Sequence, residues 1–254
     1  MERYRRFAES VGSKYGVALA LYGEAFLYFN VGEYDNAARC ISQSHQTVEA
    51  MFNEKAAPPL EALHSFERDL MAGFAAVREG RLEAAREKIG AATAAWPGSK
   101  SFRLGRTLVL ERALISLRAE ILLFEGKPAE AVAFMEKEFH LEIPAGHSPP
   151  SGPFDYLFLN FPLEQDVVPR AYEKRGDIDK AIEAYRKLIV FDPKGQDRRM
   201  HNPVYRYRLA KLYDAKGLKE QAAGEYRKLL EDWKDADLGI PELINAKKRL
   251  GSSP

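Results

Sequence analysis

The stretch YRLAKLYDAKGLKEQAAGEYRKL, residues 207–229, consists of two helical runs separated by one glycine. Gly217 stands where the first run ends, and glycine favours such ends because it adopts a positive φ without a Cβ clash. Ala210 lies seven residues before this glycine, and Ala222 lies five residues after it. Small residues at these two positions allow antiparallel helices to approach closely, and Tyr226 continues the Ala222 face one turn later. The stretch therefore predicts a helical hairpin.

The same spacing occurs at four other places in the 254-residue chain. The glycines are Gly32, Gly80, Gly126 and Gly176, and the alanines five residues later are Ala37, Ala85, Ala131 and Ala181. The larger apolar residues four positions further on are Ile41, Ile89, Met135 and Tyr185. Before the glycines stand Ala25, Gly73 and Ala119. In the fourth copy Pro169 replaces the small residue, so we expect that helix to start late, near Asp166.

This repeated small–glycine–alanine–large spacing resembles the tetratricopeptide repeat family over most of residues 18–234. The resemblance implies an all-α fold, a tetratricopeptide-like helical-hairpin solenoid that forms a right-handed superhelix with about five repeats and a C-terminal capping helix. The predicted single array over residues 1–254 has repeats near 18–53, 60–97, 103–139, 164–193 and 202–234, an insertion at 141–163 and a capping helix at 241–250. The glycines are 48, 46, 50 and 41 residues apart, against about 34 in the family, so we expect an irregular superhelix.

The resemblance also implies a binding groove, because the first helices of tetratricopeptide repeats line a concave face. By analogy, the groove-facing positions lie three, six, ten and thirteen residues before each glycine, and they are apolar in the N-terminal half and polar in the C-terminal half. The candidate partner-binding residues are Tyr22, Phe26, Phe29, Leu70, Phe74, Arg170, Tyr207 and Lys211. The lysine and asparagine clamp with which some family members hold chaperone tails is absent, since Tyr22 and Phe26 stand at its place. In the alternative interpretation, the aromatic residues pack in the core beneath the N-terminal helix ERYRRFAES, residues 2–10.

The insertion contains the unusual segment HSPPSGPFDYLFLNFP, residues 147–162, in which four prolines and four aromatic residues occur together. Its second half, FDYLFLNF at 154–161, has too many aromatic residues to remain solvated. We expect Phe158 and Phe161 to pack onto the repeats and to fill the space left by the late start of the fourth repeat. The alternative interpretation is a partner-binding element.

Several functional classes are disfavoured by composition and motif content. The formal net charge of +1 argues against a nucleic-acid partner, and no apolar run is long enough for a membrane span, so we expect a cytoplasmic location. The single cysteine, Cys40, excludes an internal disulfide and a cysteine zinc cluster. We find no phosphate-binding glycine loop and no nucleophile elbow, so we expect no catalytic residue, no cofactor and no metal. A metal-dependent enzyme would need His140 and His147 as metal ligands, and their spacing matches no familiar ligand set.

The function that we favour from the sequence is non-enzymatic protein–protein interaction. In this interpretation the chain is a scaffold or adaptor that binds a peptide or helix of a protein partner in the concave groove. The final segment, residues 202–250, also looks like the C-terminal repeats of multidomain bacterial signalling proteins. The alternative is therefore a sensor or regulatory module of a larger bacterial signalling protein, such as a kinase or a transcription activator.

Overall fold

The computed structural model describes residues 1–51, 58–95, 104–139, 160–190, 202–237 and 239–251. Within these ranges the chain forms twelve α-helices and no strand. The first six are α1 (Glu2–Ser10), α2 (Lys14–Asn30), α3 (Tyr34–Glu49), α4 (Pro58–Arg78), α5 (Leu82–Ala95) and α6 (Leu104–Phe124). The others are α7 (Pro128–Glu138), α8 (Val167–Arg175), α9 (Ile178–Ile189), α10 (Val204–Ala215), α11 (Lys219–Asp232) and α12 (Pro241–Arg249). The predicted all-α class is confirmed for this part of the chain.

The five glycines of the repeated spacing end helices as predicted. At Gly32 φ is +86°, its N–H donates to Phe29 O at 3.1 Å, and the Glu33 N–H donates to Tyr28 O at 2.9 Å. This pair of bonds satisfies carbonyls that the helix end leaves without a partner. The same pair recurs after Gly80, Gly126, Gly176 and Gly217, and also after Gly12, where the sequence pattern predicted no turn. The N-terminal helix α1 is therefore joined to α2 by a turn of the repeated type.

The alanines of the repeated spacing lie at helix contacts. The alanine five positions after each glycine is buried in every copy, with at most 1% of its surface exposed: Ala37, Ala85, Ala131, Ala181 and Ala222. Gly73 takes the small position before Gly80, and a Cβ there would lie 2.6 Å from Leu117 Cδ2. Small residues are thus required where helices cross, as the spacing predicted.

The chain divides into two compact units, and helix α7 is split between them. The first unit comprises Met1–Lys127 and Phe134–Gln165 and contains helices α1 to α6. Its helices pack as α1 on α2, α2 on α3, α3 on α4, and α4 on both α5 and α6. The core is aliphatic and phenylalanine-rich, and its largest fully buried side chains include Phe29, Phe66 and Phe74.

The second unit comprises Pro128–Ala133 and Asp166–Pro254 and contains helices α8 to α12. Within it α8 packs on α9, α9 on α10, α10 on α11, and α11 on α12. Its core is rich in tyrosine, with Tyr185, Tyr205, Tyr213 and Tyr226 all buried. The predicted C-terminal helix is present, and Pro241 lies in its first turn. Its last turn holds the basic run Lys247–Arg249, where positive charges interact favourably with the helix dipole.

The late start of the helix before Gly176 is also confirmed. Helix α8 begins at Val167 with Asp166 as its N-cap, and Pro169 lies in the first turn. Proline is tolerated in a first turn because the N–H groups there have no partner within the helix. The helix is therefore nine residues long, whereas α2 and α4, which precede Gly32 and Gly80, have 17 and 21 residues.

Candidate interaction surfaces

The predicted groove residues of the first unit are buried in its core. Tyr22, Phe26, Phe29, Leu70 and Phe74 are between 0% and 6% exposed. Helix α2 explains part of this burial, since apolar residues surround it on nearly every side and such a helix is normally enclosed. An open groove at these five positions is therefore absent from the structure, and the core-packing interpretation describes their surroundings. Their contact with a partner remains a prediction that would require this packing to open.

The inserted segment contributes directly to this burial through Phe161. The ring of Phe161 lies 4.5 Å from that of Phe29 in a tilted arrangement and 5.5 Å from that of Phe74 in an edge-on arrangement. Both are favourable geometries for aromatic pairs. Phe161 is 4% exposed and belongs to the apolar core of the first unit. The predicted packing of this segment onto the repeats is therefore seen at Phe161, whereas Phe158 lies outside the described residues.

The site of this packing differs from the expected one. The sequence suggested that the segment fills the space beside Pro169 in the fourth repeat. Phe161 instead contacts side chains of α2 and α4, which belong to the first and second predicted repeats. The difference arises because the segment is long enough to return to residues more than 80 positions earlier in the chain, and sequence spacing does not reveal such a contact.

A side-chain amide holds the backbone of the same segment. Asn30 Oδ1 accepts a hydrogen bond from the Leu163 N–H at 3.0 Å, and Asn30 Nδ2 donates to Phe26 O at 2.8 Å. Leu163 also packs against the core of the first unit. Residues 160–166 lie outside any helix, and the contacts that hold this irregular segment include the packing of Phe161 and Leu163 and the hydrogen bond of the Leu163 N–H.

The predicted site residues of the second unit lie nearer to solvent. On α10, Lys211 is exposed and Tyr207 is half-buried. Lys211 Nζ lies 5.8 Å from the centre of the Tyr207 ring, within the range of a cation–π contact. One turn further on, Asp214 Oδ2 accepts a hydrogen bond from the Tyr226 hydroxyl at 2.9 Å. We call Tyr207, Lys211 and Asp214 the α10 face.

Burial raises the pKa of Tyr207 above its usual value, and the charge of Glu242 acts in the same direction. Glu242 belongs to α12, which contacts α10. Tyr207 also lies 6.2 Å from the ring of Tyr226. The α10 face therefore combines an accessible lysine with a partly covered aromatic ring, next to charged groups of both signs.

The third predicted site residue of the second unit, Arg170, takes part in a buried network. Its Nε donates to Asp166 Oδ1 at 2.8 Å. Asp166 Oδ2 accepts from the Tyr185 hydroxyl at 2.7 Å and also from Arg208. The Asp166 side chain is fully buried, whereas the two arginines are about a quarter exposed. One carboxylate thus connects helices α8, α9 and α10, and Arg170 has a structural role besides any contact with a partner.

The electrostatics of this network favour an ionised Asp166. Burial by itself would raise its pKa, but Arg170, Arg208 and the hydrogen bonds outweigh burial, and the pKa of Asp166 is lowered. The pKa of Tyr185 is raised by burial and by the neighbouring Asp166 charge, so Tyr185 remains a hydrogen-bond donor. A buried carboxylate with this many donors is stable as an anion.

The structure brings together two histidines that sequence reasoning did not single out. The rings of His45 on α3 and His64 on α4 are stacked 3.8 Å apart and nearly parallel. His45 Nε2 lies 3.0 Å from Glu67 Oε2 on α4, and His64 Nδ1 lies 3.3 Å from Glu49 Oε1 on α3. Each histidine therefore faces a carboxylate of the opposite helix. In the sequence a glutamate follows each histidine by one helical turn. This spacing predicts the observed contacts only when it is also known that α3 packs on α4.

Burial of His64 lowers its pKa from 6.5 to about 4, and the neighbouring His45 ring acts in the same direction. Glu67 and Glu49 oppose this shift without cancelling it. His64 is therefore neutral at pH 7. In the described ranges, this cluster included, no group of three or more histidine, cysteine or acidic residues is arranged so that it could hold a metal ion.

Other sequence predictions have mixed outcomes. Cys40 is buried, as expected from its helical context. His140 and His147 lie outside the described residues. Among the described helices none is both long and apolar enough to cross a bilayer.

Comparison with protein families finds similarity in the second unit. A family model described as tetratricopeptide repeat matches residues 170–194, which include most of α8 and all of α9. No curated protein matches the chain in sequence. The matched segment contains the turn at Gly176 and the buried Ala181, which are the fourth copy of the repeated spacing. The chain thus contains a segment similar to tetratricopeptide repeats, a family that generally mediates protein–protein interaction.

Proposed function

We propose that the chain is a non-enzymatic scaffold or adaptor that binds a peptide or helix of a partner protein. The match over residues 170–194 supports an interaction function, because it lies in the unit whose predicted binding residues remain accessible. The proposed contact residues are Tyr207 and Lys211 of the α10 face, with Arg170 contributing through the exposed part of its side chain.

The observation that carries this proposal is the Tyr207–Lys211 pair. A half-buried aromatic ring beside an exposed lysine offers an apolar anchor and a cation within one helical turn. Aromatic residues at partly desolvated positions supply much of the binding energy at protein interfaces. At the corresponding positions of the first unit, Phe26 and Leu70 are buried, so a partner has no comparable access there.

The charge of the C-terminal region indicates the kind of partner. Residues 166–254 contain 20 lysines and arginines against 15 aspartates and glutamates, whereas the whole chain is almost neutral. A positive region attracts an acidic partner and accelerates its association. We therefore propose a partner segment that combines an apolar side chain for the Tyr207 ring with an acidic group for Lys211. A regulatory domain of the same polypeptide, the alternative inferred from the sequence, could use the same face.

Affinity capture from cell extract tests this proposal when three versions of the full chain are compared. The wild type is compared with the double variant Tyr207→Ala/Lys211→Glu and with Lys219→Glu, which changes an exposed lysine of α11. We expect a protein that is retained by the wild type and by Lys219→Glu but not by the double variant. With the purified partner, the double variant should bind at least about tenfold more weakly. Equal retention by all three versions would contradict the proposed face.

A further inference from the structure

The seat of Phe161 in the first unit has features of a peptide-binding site that the chain's own segment occupies. The seat is formed by the rings of Phe29 and Phe74, and Asn30 lies beside it. We propose that this seat is an exchangeable binding site for a short peptide in the same irregular conformation, and that residues 160–163 occupy it as an internal ligand. The peptide class is one that presents an aromatic side chain followed closely by an apolar residue. This inference rests on the proposed function, since it gives the first unit a binding site of the same kind.

The contacts of residues 160–163 support the analogy with a bound peptide. The segment is irregular, and the chain positions that it contacts lie 133 and 87 residues earlier. Its Phe161 side chain enters between helices, while the backbone N–H of Leu163 is held by a side-chain amide. An aromatic anchor combined with a backbone hydrogen bond recognises any segment that has a matching sequence and adopts the same backbone conformation, whether it comes from the same chain or from another one.

Most of the buried core of the first unit comes from its helices rather than from this segment. The other buried residues of the core cluster belong to α2, α3, α4, α5 and α6, and these helices pack directly on one another. Among the described residues of the inserted segment, Phe161 belongs to the buried part of this cluster. Removing it opens the seat without removing a helix–helix contact.

The seat also has an electrostatic preference. The Arg78 guanidinium lies 5.0 Å from the centre of the Phe29 ring. A cation beside the aromatic seat favours a peptide with an acidic residue near its anchor, and the internal ligand itself continues as Leu163-Glu164-Gln165-Asp166. The peptide class is therefore an aromatic residue followed by an apolar and then an acidic residue.

A defined peptide added to the full chain tests this inference. The probe is a fluorescently labelled peptide of residues 157–165, LFLNFPLEQ, and the control peptide carries alanine in place of the phenylalanine that corresponds to Phe161. Binding is measured by fluorescence anisotropy to the wild type and to Phe161→Ala. A tethered ligand competes at an effective concentration near the millimolar range, so the wild type should bind the probe poorly. We expect Phe161→Ala to bind the probe at least about tenfold more tightly than the wild type does, and not to bind the control peptide.

A milder variant controls for loss of folding in Phe161→Ala. Phe161→Leu keeps an apolar side chain in the seat but removes the ring contacts, and it should bind the probe with intermediate affinity. Equal probe binding by all three proteins, or binding of both peptides alike, would overturn the inference. Loss of a cooperative thermal transition in Phe161→Leu would also overturn it, because an exchangeable ligand is not required for folding. The probe has a defined sequence, so this result is independent of whether the α10 face captures a partner.

Discussion

The two units share the repeated helix-turn spacing but differ in what covers their first helices. In the first unit, Phe26, Leu70 and Phe74 are enclosed, and Phe161 from a distant segment closes over part of this face. In the second unit, at the equivalent spacing, Tyr207 is half-buried and Lys211 is exposed. The repeated spacing therefore specifies how a hairpin is packed, whereas residues outside the repeats determine which face is left open.

The units also differ in how they accommodate buried polar groups. The first holds two stacked histidines between Glu49 and Glu67, and the second holds Asp166 among two arginines and a tyrosine. The histidine cluster is favoured when at least one ring is neutral, while the Asp166 network is favoured when the carboxylate is charged. Acid should consequently affect the two units through different groups and in different pH ranges.

The strongest loss of stability should come from substitutions at the buried alanines that both units share. Ala37→Glu in the first unit and Ala222→Glu in the second should each lower the free energy of unfolding by at least about 4 kcal/mol, through overpacking and a buried charge. Chemical denaturation followed by circular dichroism measures the change. The matched control is Ala38→Glu, next to Ala37 but exposed, which should cost less than about 0.5 kcal/mol. If Ala222→Glu unfolds like the wild type, the repeat register is wrong.

A smaller effect is expected from the network that distinguishes the second unit. Asp166→Asn should cost about 3 kcal/mol, because it leaves two arginines beside a neutral group in a buried position. The control is Asp179→Asn, which breaks the ion pair of an exposed aspartate with Lys216 and should cost less than about 1 kcal/mol. Similar losses from both variants would show that the buried network adds nothing beyond an ordinary surface ion pair.

The third prediction concerns the histidine cluster of the first unit. The unfolded chain protonates His64 near pH 6.5, whereas the folded chain resists protonation until about pH 4. Below pH 6.5 the unfolded state therefore binds more protons, and stability falls with decreasing pH until about pH 4, by roughly 2–3 kcal/mol in total. Asp166 has a lowered pKa, so its contribution is lost only below its ordinary value of 3.8, outside this range. Denaturant midpoints between pH 7 and 4 measure the effect.

His64→Gln isolates this contribution because glutamine has no titrating group. The variant should show a flatter dependence of stability on pH than the wild type between pH 6.5 and 4. Parallel curves for the two proteins would mean that His64 is protonated as easily in the folded state as in the unfolded state, and that the stacked pair exerts no control over its pKa.

The sequence predicted those features that depend on neighbouring residues. Gly217 and Ala222 predict a hairpin because a helix end and a close helix crossing have local requirements, and Asp166 and Pro169 predict a late helix start for the same reason. The turn at Gly12 was missed although Ser10-Val11-Gly12 resembles Asn30-Val31-Gly32, since α1 is too short to show the repeated spacing.

The sequence did not predict the features that depend on distant residues. The contacts of Phe161 with Phe29 and Phe74 join parts of the chain that carry no common spacing. The approach of His45 to Glu67 similarly requires knowing that α3 packs on α4. The groove prediction considered the first helices alone, without the residues that pack over them. In the structure those residues bury the five candidate positions of the first unit.

The first helices of the two units differ in accessibility at the candidate positions, and thiol labelling measures this difference. Cys40 is the single cysteine of the chain, so Cys40→Ala provides a background into which Leu70→Cys or Lys211→Cys is introduced separately. The reaction rate of each folded protein with a soluble thiol reagent is then divided by its rate in denaturant. We predict that the Lys211→Cys thiol reacts almost as fast as in the unfolded chain, and that the Leu70→Cys thiol reacts at least about a hundredfold more slowly because the packing must first open. Equal relative rates at the two positions would mean that Leu70 is as accessible as Lys211 and that the first unit has an open groove there.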